Sequence, residues 1–231
     1  MSAVEFDQHA GHYREVHERN IGLSGELPEY FAEYKMRDFA DLIRGAGLAE
    51  DGRFLDFGSG IGSSIVPFLS HLPQAHLTCA DVSTESLLLS RAEHGEKVEY
   101  LFMQEGQLPV DDASFDAAFA CCVFHHIGAD QHRKVLTELR RVIKPAGLLM
   151  IYEHNPLNPL TVRSVNTCPL DENAVLISAQ DMCNTCIDAG WGIVHCDYRV
   201  FFPAALKHLR RMEKHLRWLP LGAQYCVSAR P

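Results

Sequence analysis

From residue 53 onward, short apolar runs alternate with longer amphipathic stretches along most of this chain. Apolar runs of this length, bounded by turn-forming residues, are typical of buried β-strands, and the apolar spacing between them is typical of helices. We predict strands over 53–58, 76–82, 98–103, 115–123 and 147–153. Helices are predicted between them over 62–71, 84–94 and 130–143. This alternation indicates parallel strands joined by right-handed crossovers, with helices on both faces of one sheet.

The two ends of the chain depart from this alternation. Residues 28–48 carry a proline in first-turn position and an apolar face, which predicts an amphipathic helix after a polar, histidine-rich stretch. We therefore divide the chain into an N-terminal helical cap or lid over 1–48 and one α/β domain over 49–231. Near the C-terminus, a helix is predicted over 178–189 and two strands over 191–202 and 222–230.

Composition limits the classes of protein that fit. Of the 231 residues, 47% are hydrophobic and 22% are charged, which is ordinary for a globular protein. The net charge of −9 argues against a nucleic-acid partner, which would need a basic surface. No apolar run approaches the roughly 20 residues that span a bilayer. The N-terminus lacks the basic-then-apolar order of a secretory signal, so we expect a cytoplasmic protein.

The eight cysteines fit the same compartment. Most lie in apolar runs, which suits reduced, buried thiols: Cys79, Cys121, Cys122, Cys196 and Cys226. Cys183 and Cys186 have C-x-x-C spacing, but no second pair and no histidine follows at zinc spacing. We expect this pair on a helix with one thiol inward, and we expect no metal site.

An acidic residue and three alternating glycines follow the first predicted strand: Asp56, Gly58, Gly60 and Gly62. Glycines let a ligand approach the main chain closely, and the helix that follows directs its free N–H groups at the turn. A nucleotide-like cofactor is therefore expected. A dinucleotide site would space its third glycine differently and would hold a pyrophosphate, which Asp56 would repel. The carboxylate instead suits the ammonium group of a bound amino acid.

A second acidic residue supports a cofactor site. The second predicted strand ends at Asp81, 25 positions after Asp56. An acidic residue roughly 20 positions beyond a glycine turn is placed to accept hydrogen bonds from ribose hydroxyls. Together the two strand ends predict a cofactor that carries both an ammonium group and a ribose.

Asp56, Gly58, Gly60 and Gly62 match the first motif of the class I S-adenosylmethionine-dependent methyltransferases, and residues 53–154 resemble that family. The resemblance implies a Rossmann-like, doubly wound sheet of seven mostly parallel strands, with an antiparallel C-terminal hairpin and helices on both faces. It implies S-adenosylmethionine as cofactor, in contact with Asp56, Gly58, Ser59, Gly60, Gly62, Asp81, Val82, Gln104, Glu105 and Cys121. Either Gln104 or Glu105 contacts the adenine, and in this family residues such as His12 and Tyr13 often close over the cofactor.

Polar residues follow the fourth and fifth predicted strands: His125 and His126, then Glu153 and His154. Because ligands of an open parallel sheet bind beyond the carboxyl ends of its strands, we expect these residues to face one cleft. Histidine suits proton removal near neutral pH, so all four are candidate bases or acceptor-orienting groups. A role in simply lining the cleft stays open. Residues 154–175 are predicted to be a long loop on the acceptor side.

The sequence thus favours methyl transfer to an oxygen or carbon of a small molecule, or of a glycan or lipid intermediate. Amino-group methyltransferases of nucleic acids carry an Asn/Asp-Pro-Pro-aromatic motif after strand four, where this chain has Cys-Cys-Val-Phe. Two alternatives stay open: a dinucleotide-dependent oxidoreductase and a non-catalytic, cofactor-binding regulator. Residues 204–218 predict an exposed helix with its apolar side on the core; contact with an anionic membrane is the less favoured interpretation. The oligomeric state is not indicated.

Overall fold

A computed structural model describes residues 13–104 and 106–231, so His12 and Glu105 lie outside the described residues. Within that part, one seven-stranded sheet has the strand order β3-β2-β1-β4-β5-β7-β6. The strands are β1 (Arg53–Phe57), β2 (His76–Asp81), β3 (Glu99–Phe102), β4 (Phe115–Cys121), β5 (Ile143–His154), β6 (Ile193–Arg199) and β7 (Gln224–Arg230). Only the last strand, β7, runs antiparallel to its neighbours β5 and β6. The predicted fold class is confirmed.

Helices lie on both faces of this sheet. The α-helices are α1 (Tyr13–Asn20), α2 (Pro28–Gly45), α3 (Ile65–His71), α4 (Thr84–His94), α5 (Ala129–Val142), α6 (Pro159–Thr167), α7 (Ala179–Asp188) and α8 (Glu213–Leu216). Short 3-10 helices cover Ile21–Ser24, Gly95–Lys97, Phe124–His126, Pro169–Asp171 and Ala204–Met212. Among the helices described, none combines the length and the apolar character needed to cross a bilayer.

Two apolar clusters cover the two faces of the sheet. Successive side chains of a strand point to opposite faces, so Phe54 of β1 packs in one cluster and Leu55 in the other. The Phe54 cluster contains Phe39 of α2, whose ring lies 4.9 Å from that of Phe119. Burial of the sheet on both faces explains why its strands are apolar almost throughout. The division into a cap over 1–48 and a domain over 49–231 stays a prediction.

A buried ion pair fastens α2 to the sheet. Asp38 accepts hydrogen bonds from the hydroxyl of Tyr152 on β5 (2.5 Å) and from Nε of Arg199 on β6 (2.8 Å). Arg199 also lies 3.0 Å from Asp197. Asp38 and Arg199 are both almost completely buried, so these bonds form away from water. They fix the helix that covers one side of the functional site described below.

Two predicted segments differ from the structure. Residues 154–175 are not one loop, because α6 and a 3-10 turn occupy much of them. Asn158 caps α6 by accepting hydrogen bonds from the N–H groups of Leu160 (3.0 Å) and Thr161 (3.1 Å), and Pro159 occupies the first turn. Asn158 and Pro159 are therefore a helix start within the segment that was predicted to be a loop.

The single amphipathic helix predicted over 204–218 was also wrong. A 3-10 stretch with a kink occupies its first half, and Leu206 and Met212 are exposed instead of lying on the core. The buried residue is Glu213, which accepts hydrogen bonds from the Tyr34 hydroxyl (3.0 Å) and the Phe201 N–H (3.1 Å). Membrane contact by this segment stays a prediction.

The helix placement of the C-x-x-C pair is confirmed. Of the five thiols expected to be buried, Cys79 and Cys226 are buried, whereas Cys121, Cys122 and Cys196 are half-buried. All eight are free cysteines. Cys186 of α7 is buried, and Cys183 is half-buried. The C-x-x-C pair thus lies on a helix with one thiol inward, as expected.

Candidate active site

A cavity of about 770 Å³ opens at the carboxyl ends of β1, β2, β4 and β5. Pockets for small molecules span about 300–1,000 Å³, so this one is large enough for a ligand of cofactor size. Residues from α2, including Lys35, line its opposite side. The predicted cofactor residues that line it are Asp56, Gly58, Ser59, Gly60, Asp81, Val82 and Cys121, and the predicted catalytic residues that line it are His125, His126 and His154. One cavity therefore brings together most of both predicted sets.

The glycines of the turn after β1 have two different roles. Gly58 has φ +75°, and a Cβ there would lie 2.6 Å from Cγ2 of Val123, so no side chain fits. At Gly60, a Cβ would meet no described atom within 4 Å, so the turn offers bare main chain to the cavity. Gly62 does not line the cavity: a Cβ there would lie 2.3 Å from Oγ of Ser90 on α4. Close packing against α4 thus explains the glycine at 62, and its cofactor contact stays a prediction.

Asp56 is a buried carboxylate at the edge of this cavity, only 1% exposed. Burial, and then the nearby charge of Asp81, raise the pKa of Asp56 to about 8. Its Oδ2 atom has no hydrogen-bond partner among the described residues. A buried acceptor without a partner is costly, and a cationic group of a ligand would satisfy it. The site therefore suits the ammonium group inferred from the sequence.

Asp81 holds the glycine turn in place. Its Oδ2 accepts a hydrogen bond from the Gly60 N–H (2.7 Å), and its Oδ1 accepts one from the Ser83 N–H (2.9 Å). Each carboxylate oxygen can accept a second hydrogen bond, so Asp81 could also accept one from a ribose hydroxyl while it holds the Gly60 and Ser83 N–H groups. Gln104 instead is exposed, bridges to Gln107 and does not line the cavity, so its predicted adenine contact is not supported.

Glu153 holds the turn after β4 and does not line the cavity. Its Oε1 accepts hydrogen bonds from the N–H groups of Val123 (2.9 Å) and Phe124 (2.6 Å), and its Oε2 lies 2.6 Å from Nδ1 of His125. Burial opposes ionisation, but the charge of His125 outweighs it and lowers the pKa of Glu153 to about 2. Glu153 is therefore a positioning residue, and its predicted role as a base is corrected.

His125 and His126 differ sharply in charge although they are neighbours in the chain. Burial disfavours the imidazolium of His125, yet Glu153 and Asp171 outweigh it and raise its pKa to about 10. Burial, and then the charge of His125, lower the pKa of His126 to about 3. Glu153 and Asp171 thus favour the imidazolium form of His125, and its role as a base stays a prediction.

Asp171 was not identified from the sequence as a site residue. Its Oδ1 lies 3.4 Å from Nε2 of His126 and 3.5 Å from Nε2 of His125. Asp171 ends the 3-10 turn after α6, and the Val175 N–H donates to the His125 carbonyl (2.8 Å), which holds this segment against the histidines. The only sequence signal was its place in the polar stretch after the fifth strand.

Cys122, which the sequence indicated only as one more buried thiol, has an unusual environment at the cavity. Its backbone has φ +59°, a conformation that costs energy for a residue with a side chain. Nζ of Lys35 lies 3.3 Å from its sulfur, and Nε2 of Gln224 lies 3.4 Å from it. Burial would raise the pKa of Cys122, but Lys35 and then His154 outweigh burial and lower the pKa to about 6. The cavity therefore contains a thiolate near neutral pH.

We expect iodoacetamide at pH 7 to alkylate Cys122 before the other cysteines, because thiolate is the reactive form. Lys35→Met should raise the pH midpoint of the Cys122 reaction, since it removes the cation that stabilises the thiolate. Peptide mass spectrometry after timed quenching measures both effects. Lys207→Met, on the exposed segment over 204–218, is the matched control and should leave the midpoint unchanged. A midpoint near that of a free cysteine in the unaltered protein would contradict this assignment.

Comparison with known proteins agrees with this geometry. Residues 55–151 match the family model described as a methyltransferase domain. An O-methyltransferase of Aspergillus nomiae is 34% identical over 104 residues, 43% of this chain and 45% of that protein. The demethylmenaquinone methyltransferase of Deinococcus radiodurans is 32% identical over 107 residues, 45% of this chain and 44% of that protein. The alignments thus span less than half the length of these relatives.

A solved structure extends the likeness in fold to nearly the whole chain. A Thermotoga maritima protein described as a possible histamine N-methyltransferase superposes with a TM-score of 0.67, 18% identity and 98% coverage of both chains. The fold and the acidic glycine turn define a Rossmann-like cofactor-binding protein. Residues 55–151 match a methyltransferase domain, and the solved structure that shares the fold is described as an S-adenosylmethionine-dependent methyltransferase. S-Adenosylmethionine is the cofactor of this class, as the sequence predicted.

Proposed function

We propose that this protein transfers the methyl group of S-adenosylmethionine to an oxygen or carbon of a small-molecule acceptor. The observation that carries the proposal is one cavity that brings the buried Asp56 carboxylate and the glycine turn together with His126 and His154. The O-methyltransferase and the demethylmenaquinone methyltransferase among its relatives support a small-molecule acceptor. The proposal also includes acceptors that are linked to a glycan or a lipid.

Different residues of the cavity suit different groups of the cofactor. Asp56 would pair with the ammonium group, and Asp81 would accept hydrogen bonds from the ribose hydroxyls. The bare main chain at Gly60 would allow close approach, while Val82 and Cys121 line the same space. When bound, S-adenosylmethionine supplies a methyl group that leaves sulfur as the carbon–sulfur bond breaks, with the electron pair staying on sulfur.

We assign His154 as the group that takes the acceptor's proton. It follows β5, lines the cavity, and its ring lies 5.1 Å from that of His125. Unlike Glu153, which is fully engaged by the turn after β4, His154 faces the space where an acceptor would lie. Removal of a hydroxyl proton leaves an oxygen with the electron pair that forms the new bond to the methyl carbon.

The test is turnover against a panel of phenols, quinols, carboxylic acids and sugars with S-adenosylmethionine. We expect S-adenosylhomocysteine to form together with a product heavier by one methylene, measured by mass spectrometry. His154→Ala should lower kcat by roughly 10²–10⁴-fold, as loss of a general base does, with cofactor affinity unchanged. The matched control is His76→Ala, an exposed histidine at the start of β2, which should retain full turnover.

Two results would contradict the proposal. Binding of NAD in preference to S-adenosylhomocysteine would favour the oxidoreductase alternative. Tight S-adenosylmethionine binding without any S-adenosylhomocysteine formation across the panel would favour a cofactor-binding regulator.

A further inference from the structure

Three potential ligand atoms meet at one side of the cavity. One ligand atom from each of His125, His126 and Asp171 lies within 4.8 Å of the other two, and Nε2 of His125 and Nε2 of His126 are the nitrogens that face Oδ1 of Asp171. Asp171 Oδ1 is 3.5 Å from the first nitrogen and 3.4 Å from the second. All three residues line the cavity, and the side chains are 1%, 11% and 12% exposed. The cluster is thus protected by the protein but faces the space for ligands.

The spacing of these atoms suits a shared ion better than direct hydrogen bonds. An N–H···O bond has a length of about 2.7–3.2 Å. Two ligand atoms that lie about 2.0–2.1 Å from a tetrahedral ion are roughly 3.3–3.4 Å apart. The distances of 3.4 and 3.5 Å from Asp171 to the two nitrogens are close to that second value.

Glu153 gives His125 the support that metal-binding histidines usually have. Its carboxylate lies 2.6 Å from Nδ1 of His125, on the side of the ring away from Asp171. With a metal bound in place of the Nε2 proton, such a bond would keep the remaining ring proton on Nδ1 and direct the lone pair of Nε2 at the ion. The N–H groups of Val123 and Phe124 fix Glu153 in turn, so the ring orientation is held by the backbone.

Charge points the same way. Glu153 and Asp171 bring two carboxylates to a largely buried place beside two imidazole rings. Buried anionic groups are costly unless cations compensate them. A divalent cation bound by both rings and by Asp171 would displace the Nε2 proton of His125 and take over the compensation that the imidazolium gives these carboxylates in the metal-free protein.

We propose that His125, His126 and Asp171 bind one divalent transition-metal ion, with open coordination positions towards the cavity. Two imidazole nitrogens and one carboxylate select zinc, iron or manganese over calcium, and three protein ligands with open positions are typical of catalytic metal sites. No metal site was expected from the sequence, because no further ligands follow the C-x-x-C pair at zinc spacing. Here Asp171 comes from a segment separated from the histidines by β5 and α6.

The consequence for the reaction rests on the proposed function. An acceptor hydroxyl bound at an open position would lose its proton more easily, because the metal charge stabilises the oxyanion. This would confine the chemistry to acceptors that offer an oxygen to the metal, such as a phenol or a hydroxy acid. Oxygen methylation is then favoured over carbon methylation.

Zinc binding to the chelator-treated full chain tests the site directly. We expect one Zn²⁺ per chain by isothermal titration and elemental analysis, and Co²⁺ absorption without a thiolate charge-transfer band. His126→Ala and Asp171→Ala each remove a ligand and should weaken Zn²⁺ binding by more than about 100-fold. Glu153→Gln should weaken it by about 10–100-fold, as loss of an outer-shell partner does. His76→Ala and Cys122→Ser should bind Zn²⁺ as the unaltered protein does.

The outcomes separate this proposal from the proposed function. S-Adenosylhomocysteine binding, measured on every variant, checks that the fold and the Asp56 side of the cavity are intact. Zn²⁺ binding that survives both ligand substitutions, or that is lost with Cys122→Ser instead, would overturn the metal site and leave methyl transfer standing. Specific Zn²⁺ binding without methyl transfer to any acceptor would support the site and contradict the proposed function.

Discussion

Replacement of Asp56 by asparagine is expected to destroy cofactor binding and, at the same time, to stabilise the cofactor-free protein. Asp56 is buried, and its pKa is raised to about 8 in the folded chain. An aspartate in an unfolded chain has a pKa of about 3.9. Between these two pH values the folded protein binds more protons than the unfolded one, so its stability falls as pH rises. Asparagine does not titrate and avoids this loss.

The loss of affinity follows from the same burial. Truncating one partner of a buried charge pair costs about 2–5 kcal/mol, which is roughly a 30- to 5,000-fold weaker Kd. We expect this loss for S-adenosylhomocysteine, which retains the ammonium group, in isothermal titration at pH 7.5. Affinity of the unaltered protein should tighten as pH rises from 6 towards 8, because the pairing needs ionised Asp56. Asp56→Asn should show no such dependence.

The stability of the same variant is read by thermal unfolding. Because 1 kcal/mol moves Tm by about 2–4 °C in a chain of this size, we expect a rise of at least about 5 °C at pH 8. Asp116→Asn is the matched control. Lys144 and Arg53 outweigh burial at Asp116 and lower its pKa, so this substitution should reduce stability and leave cofactor affinity unchanged. Unchanged cofactor affinity in Asp56→Asn would contradict the role of this carboxylate.

Site residues at strand ends could be predicted from the sequence. The apolar pattern shows where each strand ends, and the parallel topology brings the carboxyl ends to one edge of the sheet. Asp56, Asp81 and His154 follow this rule, and all three line the cavity. Lys35 and Asp171 do not. Lys35 reaches Cys122 across 87 positions of chain, and that contact depends on how α2 packs on the sheet. No local sequence pattern indicates such a contact, because it forms only when α2 packs on the sheet.

Matching a motif also did not define the role of each position. Gly58 and Gly62 both belong to the glycine turn, yet one avoids Val123 and the other avoids Ser90 on α4. The segment over 204–218 differs from its prediction in a similar way: its apolar side was expected on the core, but Leu206 and Met212 are exposed and Glu213 is buried. The Tyr34 hydroxyl and two backbone N–H groups instead draw Glu213 inward. Polar partners from distant elements decide which side of a short helix is buried.

Replacement of Arg199 by methionine is expected to destabilise the protein strongly and to loosen the α2 side of the cavity. The change leaves Asp38 buried, with the Tyr152 hydroxyl as its remaining described hydrogen-bond partner. Loss of one partner of a buried ion pair costs about 3–5 kcal/mol. That corresponds to a fall in Tm of roughly 6–20 °C for a chain of this length. Because α2 also carries Lys35, the pH midpoint of Cys122 alkylation should rise in the same variant.

A double-mutant cycle distinguishes the ion pair from simple loss of packing. Asp38→Asn with Arg199→Met removes both charges, so it should recover part of the stability lost by Arg199→Met alone. Arg91→Met breaks an ion pair with Glu96 whose side chains are 57% and 76% exposed, and it should cost less than about 1 kcal/mol. Equal losses at Arg91 and Arg199 would mean that the buried pair does not hold α2. We expect Arg199→Met to lose more stability than Arg91→Met, to raise the pH midpoint of Cys122 alkylation, and to regain part of its stability in the double variant. These three results together would show that the buried ion pair holds α2 in place and thereby positions Lys35 beside Cys122.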